Sequence, residues 1–375
     1  MKICYFGTYR KAYSRNKIMM AALTKSGVEV IECHATLWKS IEDRVNLTKG
    51  GWKKPAFWWR VMRTYIQLIW RFFKMPEFDI LMVGYPGQFD VYLAKLLSML
   101  KRKPLVWDVF MSIYLVAKER GLDLENRFTV NLIRQVEARA LRLPDLLIQD
   151  TPEYVAWFHN EYGISADRFR LVPTGADDRI FKPVDITDQL KDDQFTVLYY
   201  GTFIPNHGVM KIAQAVKLLA DERDILFEFI GEGPEKSALE EFVNKHSLKN
   251  IRLHEWMSQE ELLVQIAKSD ICLGAFGDTP QSLMTVQNKI YECMAMGKPV
   301  VTGESPAVKS GFGHKKDIYI CERNPEGIAG ALTALRNDHD MCKFIGENGF
   351  KTFNQNYSLT SLGNKLVDIL HDIKT

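Results

Sequence analysis

The run Gln287-Asn288-Lys289-Ile290-Tyr291-Glu292-Cys293-Met294-Ala295-Met296-Gly297-Lys298-Pro299-Val300-Val301 concentrates more usable chemistry than any other part of the chain. It predicts a helix opened by Asn288, whose side chain accepts a hydrogen bond from the free N–H groups of the first turn. Gly297 closes the helix, Pro299 prevents its continuation, and a β-branched strand follows. A helix N-terminus carries roughly +0.5 of an elementary charge and unpaired donors, so it seats phosphate. Lys289 adds a full positive charge to that seat. Glu292, one turn further in, would repel a phosphate set against it but suits the paired hydroxyls of a sugar. Diphosphate at the helix tip with ribose on Glu292 is the chemistry of a nucleotide-sugar site. Spacing alone also fits a solvated Glu292 paired with Lys289 on the helix surface.

Positioning such a helix requires a scaffold of strands. Short apolar runs alternate with amphipathic stretches, the βαβ pattern of a parallel sheet covered on both faces. The first half predicts strands at Lys2–Phe6, Glu29–Cys33, Asp79–Val83, Pro104–Asp108, Asp145–Gln149 and Arg170–Val172. The second half predicts Thr196–Tyr200, Leu226–Ile230, Ile251–His254, Ile271–Ala275, Pro299–Thr302 and Ile318–Cys321. Phe181–Asp193 lacks apolar periodicity and separates the two blocks. Ligands of doubly wound sheets sit beyond the carboxyl ends of the strands, so the loops after Phe6, Val83, Asp108, Tyr200, Ile230, Ala275 and Thr302 are expected to gather.

The 287–301 run resembles the donor-site signature of the family-4 retaining glycosyltransferases, in which a Glu-x7-Glu pair precedes Met-Ala-x-Gly-x-Pro-Val. Further segments carry the same likeness. Tyr199-Tyr200-Gly201 through His207-Gly208, with Ala215 behind, is similar to the strand, glycine loop and helix that open the donor domain. Gly231-Glu232-Gly233-Pro234 follows the next strand, and Leu171–Asp177 with Phe181-Lys182-Pro183 resembles the approach to the hinge. The resemblance implies the α/β GT-B fold, two Rossmann-like doubly wound domains facing a central cleft. It places an acceptor-side domain at 1–183, a donor domain at 190–350 and a last helix, about 355–375, crossing back to the first. Its implied activity is retaining transfer of a sugar from a nucleoside diphosphate sugar to a sugar or lipid-linked acceptor in surface polysaccharide or lipopolysaccharide synthesis. Glu292 then holds the ribose, and Gly7, Gly201, Thr202, His207, Gly231, Thr285, Val286, Gln287, Asn288 and Lys289 complete the donor site. No cofactor and no metal are implied.

The chain departs from the family at three places. Met284 stands where the first Glu, which contacts donor-sugar hydroxyls, belongs. Thr202 and His207 replace the usual Arg and Lys beside the diphosphate, contacts worth about 1.5–3 kcal/mol each. The N–H groups of Thr285, Val286 and Gln287 remain to face the sugar and phosphate. Asp108 stands near the usual position of a His close to the reacting centre, making it a catalytic candidate beside Glu292, or simply the cap of the next helix. Arg10, Lys11 and Arg15 follow Gly7 as candidate phosphate contacts, and Asp150, Thr151 and Glu137 as acceptor-side groups. Asp338-His339-Asp340 imitates a metal-binding string but falls between helices.

A net charge of +3 over 375 residues carries no nucleic-acid footprint. Six Cys at 4, 33, 272, 293, 321 and 342 show no metal-ligand spacing and read as reduced thiols of a cytoplasmic protein. Lys2–Phe6 reads as a strand rather than a signal peptide, and no run approaches the ~18–20 apolar residues of a spanning helix. Residues 44–76 stand apart: no Asp or Glu, eight Lys or Arg, and eight aromatics including four of the eight Trp. From Phe57 to Lys74, polar positions Arg60, Arg63, Thr64, Gln67, Arg71 and Lys74 form one narrow stripe, and the remaining surface is apolar. A domain helix needs an apolar face only ~100° wide. The surplus predicts an interfacial helix on the inner face of the cytoplasmic membrane, with Trp58, Trp59 and Trp70 in the headgroups and Arg60, Arg63 and Arg71 on anionic lipid. A helix buried on two sides with snorkelling Arg is the alternative. Rivals for the whole chain are a nucleotide-sugar epimerase of the same fold and a non-catalytic nucleotide-binding scaffold.

Overall fold

The computed structural model describes residues 1–37, 54–184, 194–222 and 224–374. Residues 44–53 of the basic aromatic segment and 185–193 of the expected linker lie outside them. By its contacts the chain divides into two compact units, Met1–Pro173 with Leu359–Thr375, and Thr174–Ser358.

The first unit holds a six-stranded parallel sheet: β1 (Lys2–Gly7), β2 (Glu29–His34), β3 (Ile80–Val83), β4 (Leu105–Asp108), β5 (Leu146–Gln149) and β6 (Phe169–Leu171), in the order β2-β1-β3-β4-β5-β6. β3, β4 and β5 are buried along their whole length, as continuous apolar runs in a sheet covered on both faces should be. The C-terminal helix Leu359–Lys374 belongs to this unit. It buries Leu359, Leu362, Leu366 and Leu370 against Ile3, Met19, Ala22 and Leu23. A Cβ on Gly363 would lie 2.2 Å from the Ala22 carbonyl oxygen, so this helix and Ser14–Lys25 meet backbone to backbone.

The second unit repeats the plan with β7 (Phe195–Tyr200), β8 (Ile225–Ile230), β9 (Ile251–His254), β10 (Ile271–Leu273), β11 (Val300–Gly303) and β12 (Tyr319–Cys321), ordered β12-β11-β10-β7-β8-β9 and again parallel. The period of two along β7 divides its side chains between two cores. Val197 and Tyr199 join one, Leu198 and Tyr200 the other. Strand order reverses between β7 and β10, and the loops leaving that pair open a crevice where such sheets bind ligands. All twelve expected strands are present, none with an end moved by more than two residues, and Ile251–His254 unchanged.

Candidate functional site

The loops after β7 and β10 bring the predicted donor residues together. Gly201 follows β7 directly, and its φ of +143° suits a residue without Cβ. The space a Cβ would take is occupied by Lys289: its Nζ lies 2.7 Å from that point. Lys289 enters from the helix Asn288–Ala295 and is 5% exposed. Its Nζ finds no hydrogen-bond partner among the described residues and rests 4.1 Å from the centre of the Tyr199 ring. Burial therefore brings its pKa down to about 7, only partly opposed by Cys293 and Glu292. The amine lies against two aromatic rings, 4.1 Å from the centre of Tyr199 and 6.0 Å from that of Tyr200.

The helix tip differs from expectation in one respect. Gln287, not Asn288, is the cap, and it adopts an extended conformation without a side-chain capping bond. Thr285–Gln287 runs extended, so the helix begins a residue earlier than a capping Asn288 would allow, and Asn288 sits inside the first turn. The N–H groups of Asn288 and Lys289 thus have no acceptor within the helix. Those of Val286 and Gln287 donate to no described residue, and the buried Gln287 Oε1 is likewise unpartnered. Thr285 is removed from the set: its N–H and its hydroxyl both donate to the Gln281 carbonyl, at 3.1 and 2.8 Å. The Val286 side chain packs in the core, so only its backbone can serve.

Glu292 lies one turn deeper, half-buried. Its Oε2 accepts from the Tyr200 hydroxyl at 2.7 Å, and Oε1 takes no hydrogen bond among the described residues. Desolvation raises its pKa, opposed by Tyr200 and Lys289. His207, in the short turn Pro205–His207, differs more. Its Nδ1 lies 2.8 Å from the Thr202 carbonyl oxygen and must donate to it, leaving Nε2 as an acceptor. Desolvation and the neighbouring Lys289 bring its pKa down to about 3. Neutral His207 in this tautomer cannot donate to phosphate and instead shapes the loop. Exposed Thr202 contributes its carbonyl to that bond. Gly231 is required for contact inside the protein, because a Cβ there would lie 2.0 Å from the Gly201 carbonyl oxygen.

In the first unit, several candidates turn out to be engaged. A Cβ on Gly7 would meet the Asp90 carboxylate at 2.7 Å, not a ligand. Asp90 accepts from the Thr8 N–H at 2.6 Å and from the Tyr65 hydroxyl at 2.8 Å, which fixes this loop. Asp108 is fully buried and held by Arg15, whose Nε and Nη2 each lie 2.9 Å from a carboxylate oxygen. Arg15 Nη1 donates to the Val172 and Pro173 carbonyls, so neither side chain reaches out to a substrate. Lys11 pairs with Glu32 at 2.8 Å. Glu137 is fully committed to Ser112, Ile113, Tyr162 and Gln88. Asp150 differs: it is buried, its Oδ1 is unpartnered, and burial raises its pKa to about 7 against the pull of Arg15. Asp338 caps the helix His339–Asn356 by accepting from the Met341 N–H.

The helix Pro55–Phe73 turns Thr64, Leu68 and Phe72 inward, so Thr64 belongs to its contact face and not to the polar stripe. Trp58, Trp59, Met62, Ile66, Trp70 and Phe73, spaced about one turn apart, are 46% to 65% exposed. Arg63 is exposed beside them, Lys74 Nζ lies 3.7 Å from the Trp70 ring centre, and the Arg60 guanidinium lies over Phe57. Arg71 donates to the His34 carbonyl. Among the described residues, no helix is long and apolar enough to cross a membrane.

Four contributors were invisible in the sequence: Tyr199 as the platform of Lys289, Tyr200 as the partner of Glu292, and the pair Ser282 and Arg323 among the loops. A Tyr-Tyr-Gly strand end is the one local signal that could have flagged the first two.

Comparison with known proteins bears on the fold and on the second unit. A family model described as Glycosyl transferases group 1 matches residues 194–338. The Alpha-D-kanosaminyltransferase of Streptomyces kanamyceticus is 26% identical over 290 residues, covering 74% of this chain and 73% of that one. Among solved structures, HepE of Anabaena in complex with UDP and glucose superposes with a TM-score of 0.69 at 13% identity, covering 99% of this chain and all of HepE. Sucrose-phosphate synthase of Thermosynechococcus elongatus gives 0.72 at 14% identity, with 99% and 98% covered. The structural likeness establishes the fold as GT-B, and with the matched domain and the named relative it supports a GT-B glycosyltransferase.

Proposed function

We propose that this chain transfers a sugar from a nucleoside diphosphate sugar to a sugar or lipid-linked acceptor, with retention of configuration. The observation that carries the reading is Lys289: a buried, unpartnered amine against Gly201, at a helix tip with free N–H groups, one turn from a carboxylate with an open oxygen. The diphosphate lies between the Lys289 amine and the N–H groups of Asn288 and Lys289 at the helix tip, those of Val286 and Gln287 are left to the sugar, and the ribose diol donates to Glu292 Oε1. HepE, of the same fold, was solved with UDP and glucose. Lys289 stabilises the charge that develops on the leaving phosphate, and that phosphate takes the acceptor's proton in a front-face displacement. No strong protein base is then needed, in keeping with the enclosed Asp108. Met284, in place of an acidic residue, favours a second reading in which the site binds a nucleotide sugar without transferring it. The test is incubation with a panel of UDP-, GDP- and dTDP-sugars, reading nucleoside diphosphate release and the anomeric configuration of any product. A donor that stabilises the protein but is never consumed would establish the second reading.

Glu292→Ala is expected to weaken nucleotide-sugar binding more than tenfold, since a hydrogen bond to a charged group is worth about 1.5–3 kcal/mol. Calorimetric titration checks this, and unchanged affinity removes the ribose from Glu292.

The same reading places the protein on the cytoplasmic face of an anionic membrane, serving surface polysaccharide or lipopolysaccharide synthesis. The exposed aromatic face of Pro55–Phe73 inserts among the headgroups while Arg60, Arg63, Arg71 and Lys74 meet lipid phosphate, at ~1 kcal/mol each. Replacing Trp58, Trp59 and Trp70 with Ser is expected to abolish sedimentation with anionic liposomes and leave the melting temperature within a few degrees, because all three are exposed. A large fall in melting temperature, with wild type ignoring liposomes at low salt, would make this a packed helix instead.

A further inference from the structure

Outside the residues that touch the diphosphate, one side chain ties together the loops around it. Arg323 follows β12; its guanidinium binds two neighbouring segments, and Ser282 extends the connection to a third. Nε donates to the Glu304 carbonyl at 2.5 Å, and Nη2 lies 3.4 Å from the Gly303 carbonyl oxygen, at the end of β11 and just beyond it. Nη1 donates to the Gly277 carbonyl and to Ser282 Oγ, the latter at 3.1 Å, both in the segment after β10. Ser282, buried, passes its own proton to the Asn206 carbonyl at 2.7 Å, in the loop after β7 that contains His207. The arrangement is built for this guanidinium: a Cβ on Gly303 would lie 2.6 Å from Arg323 Cγ. Planar, five-donor Arg can bridge several carbonyls at once in a way that Lys cannot.

We propose that Arg323, relayed through Ser282, is the positioning residue for the sugar end of the donor site. The claim rests on the donor reading above and names what sets the sugar subsite in it. With Met284 replacing an acidic side chain, the groups left to face the sugar are the backbone N–H groups of Val286 and Gln287, which donate to no described residue. Their placement depends on the preceding short helix, Pro280–Met284, to which Ser282 belongs. Arg323 fixes that helix from one side and Asn206 from the other. Groups that act through backbone placement are sensitive to small shifts, since a displacement of about 1 Å can cost as much as a hundredfold. The nucleoside and phosphates, held by Lys289, Glu292 and the helix tip, do not share that dependence.

The test uses the full chain and UDP-glucose, GDP-mannose and dTDP-glucose, each beside its parent nucleoside diphosphate. For the donor that wild type binds best, the ratio of the two dissociation constants is read. Arg323→Met is expected to shift that ratio at least fivefold against the nucleotide sugar while nucleoside diphosphate affinity stays within about twofold. Arg323→Lys should recover only part of the shift, and Ser282→Ala should reproduce about threefold of it. Hydrogen exchange without ligand should quicken at 276–286 and not in the strands. Should Arg323→Met fail to fold, Ser282→Ala and Arg323→Lys decide on the same ratio. An unchanged ratio, or equal loss of both ligands, overturns the positioning role and leaves the donor reading intact. Wild type binding none of the three donors or their nucleotides overturns the donor reading, and this inference with it.

Discussion

Lys289→Met is expected to lower the affinity for the nucleotide sugar about a hundredfold at neutral pH. A charge-assisted contact to phosphate in a water-poor site is worth up to about 3 kcal/mol, and 1.4 kcal/mol is a factor of ten. The wild-type interaction is also pH-dependent, with a sign that follows from burial. In the free protein the amine is held near pKa 7; bound phosphate returns it to the charged form and raises that value. Below about pH 6 the free protein already carries the proton, and affinity is flat. Above pH 7 each binding event must take up a proton, so affinity falls up to tenfold per pH unit. At pH 8 the uptake approaches ~0.9 proton per donor, read by calorimetry in two buffers of different ionisation enthalpy. A nucleotide sugar is the right probe, because neither of its phosphates titrates there. The neighbours do not imitate the effect: the pKa of His207 is brought down to about 3, burial drives Tyr199, Tyr200 and Cys293 upward, and Glu292, raised by burial, would give up a proton rather than take one on accepting ribose hydroxyls. Lys289→Arg should keep most of the affinity and lose the pH dependence, since guanidinium stays charged. Binding by wild type without proton uptake would place Lys289 away from the phosphates.

The parts legible in the sequence were those governed by local pattern. All twelve strands follow from short apolar runs between turn residues, and the donor helix from its Gly297-x-Pro299 stop. What escaped depends on pairings made at long range or on a single dihedral angle. The cap moved from Asn288 because the preceding stretch is extended, which residue type does not dictate. Lys289 was legible as a cation at a helix tip but not as a buried one, because its enclosure is made by Tyr199 and Gly201, about ninety residues earlier. His207 could be foreseen at the site, whereas its tautomer is set by the Thr202 carbonyl. The exposed aromatic face of Pro55–Phe73 was legible because composition alone exceeded what one packed face can absorb. A strand-end Asp reads the same whether it serves chemistry or structure, and only Arg15, 93 residues away, decides the case of Asp108.

That assignment makes the other large prediction. Asp108→Ala is expected to destabilise the first unit by about 3–5 kcal/mol, because it leaves a buried guanidinium with no counter-charge. For a unit of this size that is about 6–20 °C in melting temperature. Asp150 moderates the loss. Asp108 and burial now hold its pKa up while Arg15 pulls it down, so without Asp108 it ionises more readily and supplies part of the missing charge. Asp108→Ala with Asp150→Asn should therefore cost more than the two changes summed. Replacing the ion pair outright, Arg15→Met with Asp108→Leu, should be milder than Asp108→Ala alone, since two apolar groups of similar volume leave no charge stranded. A reacting group behaves differently: Asp108→Asn would then melt like wild type while donor turnover collapsed. Thermal melts and turnover on the same variants separate the two roles, and a melt unchanged by Asp108→Ala would return Asp108 to the chemistry.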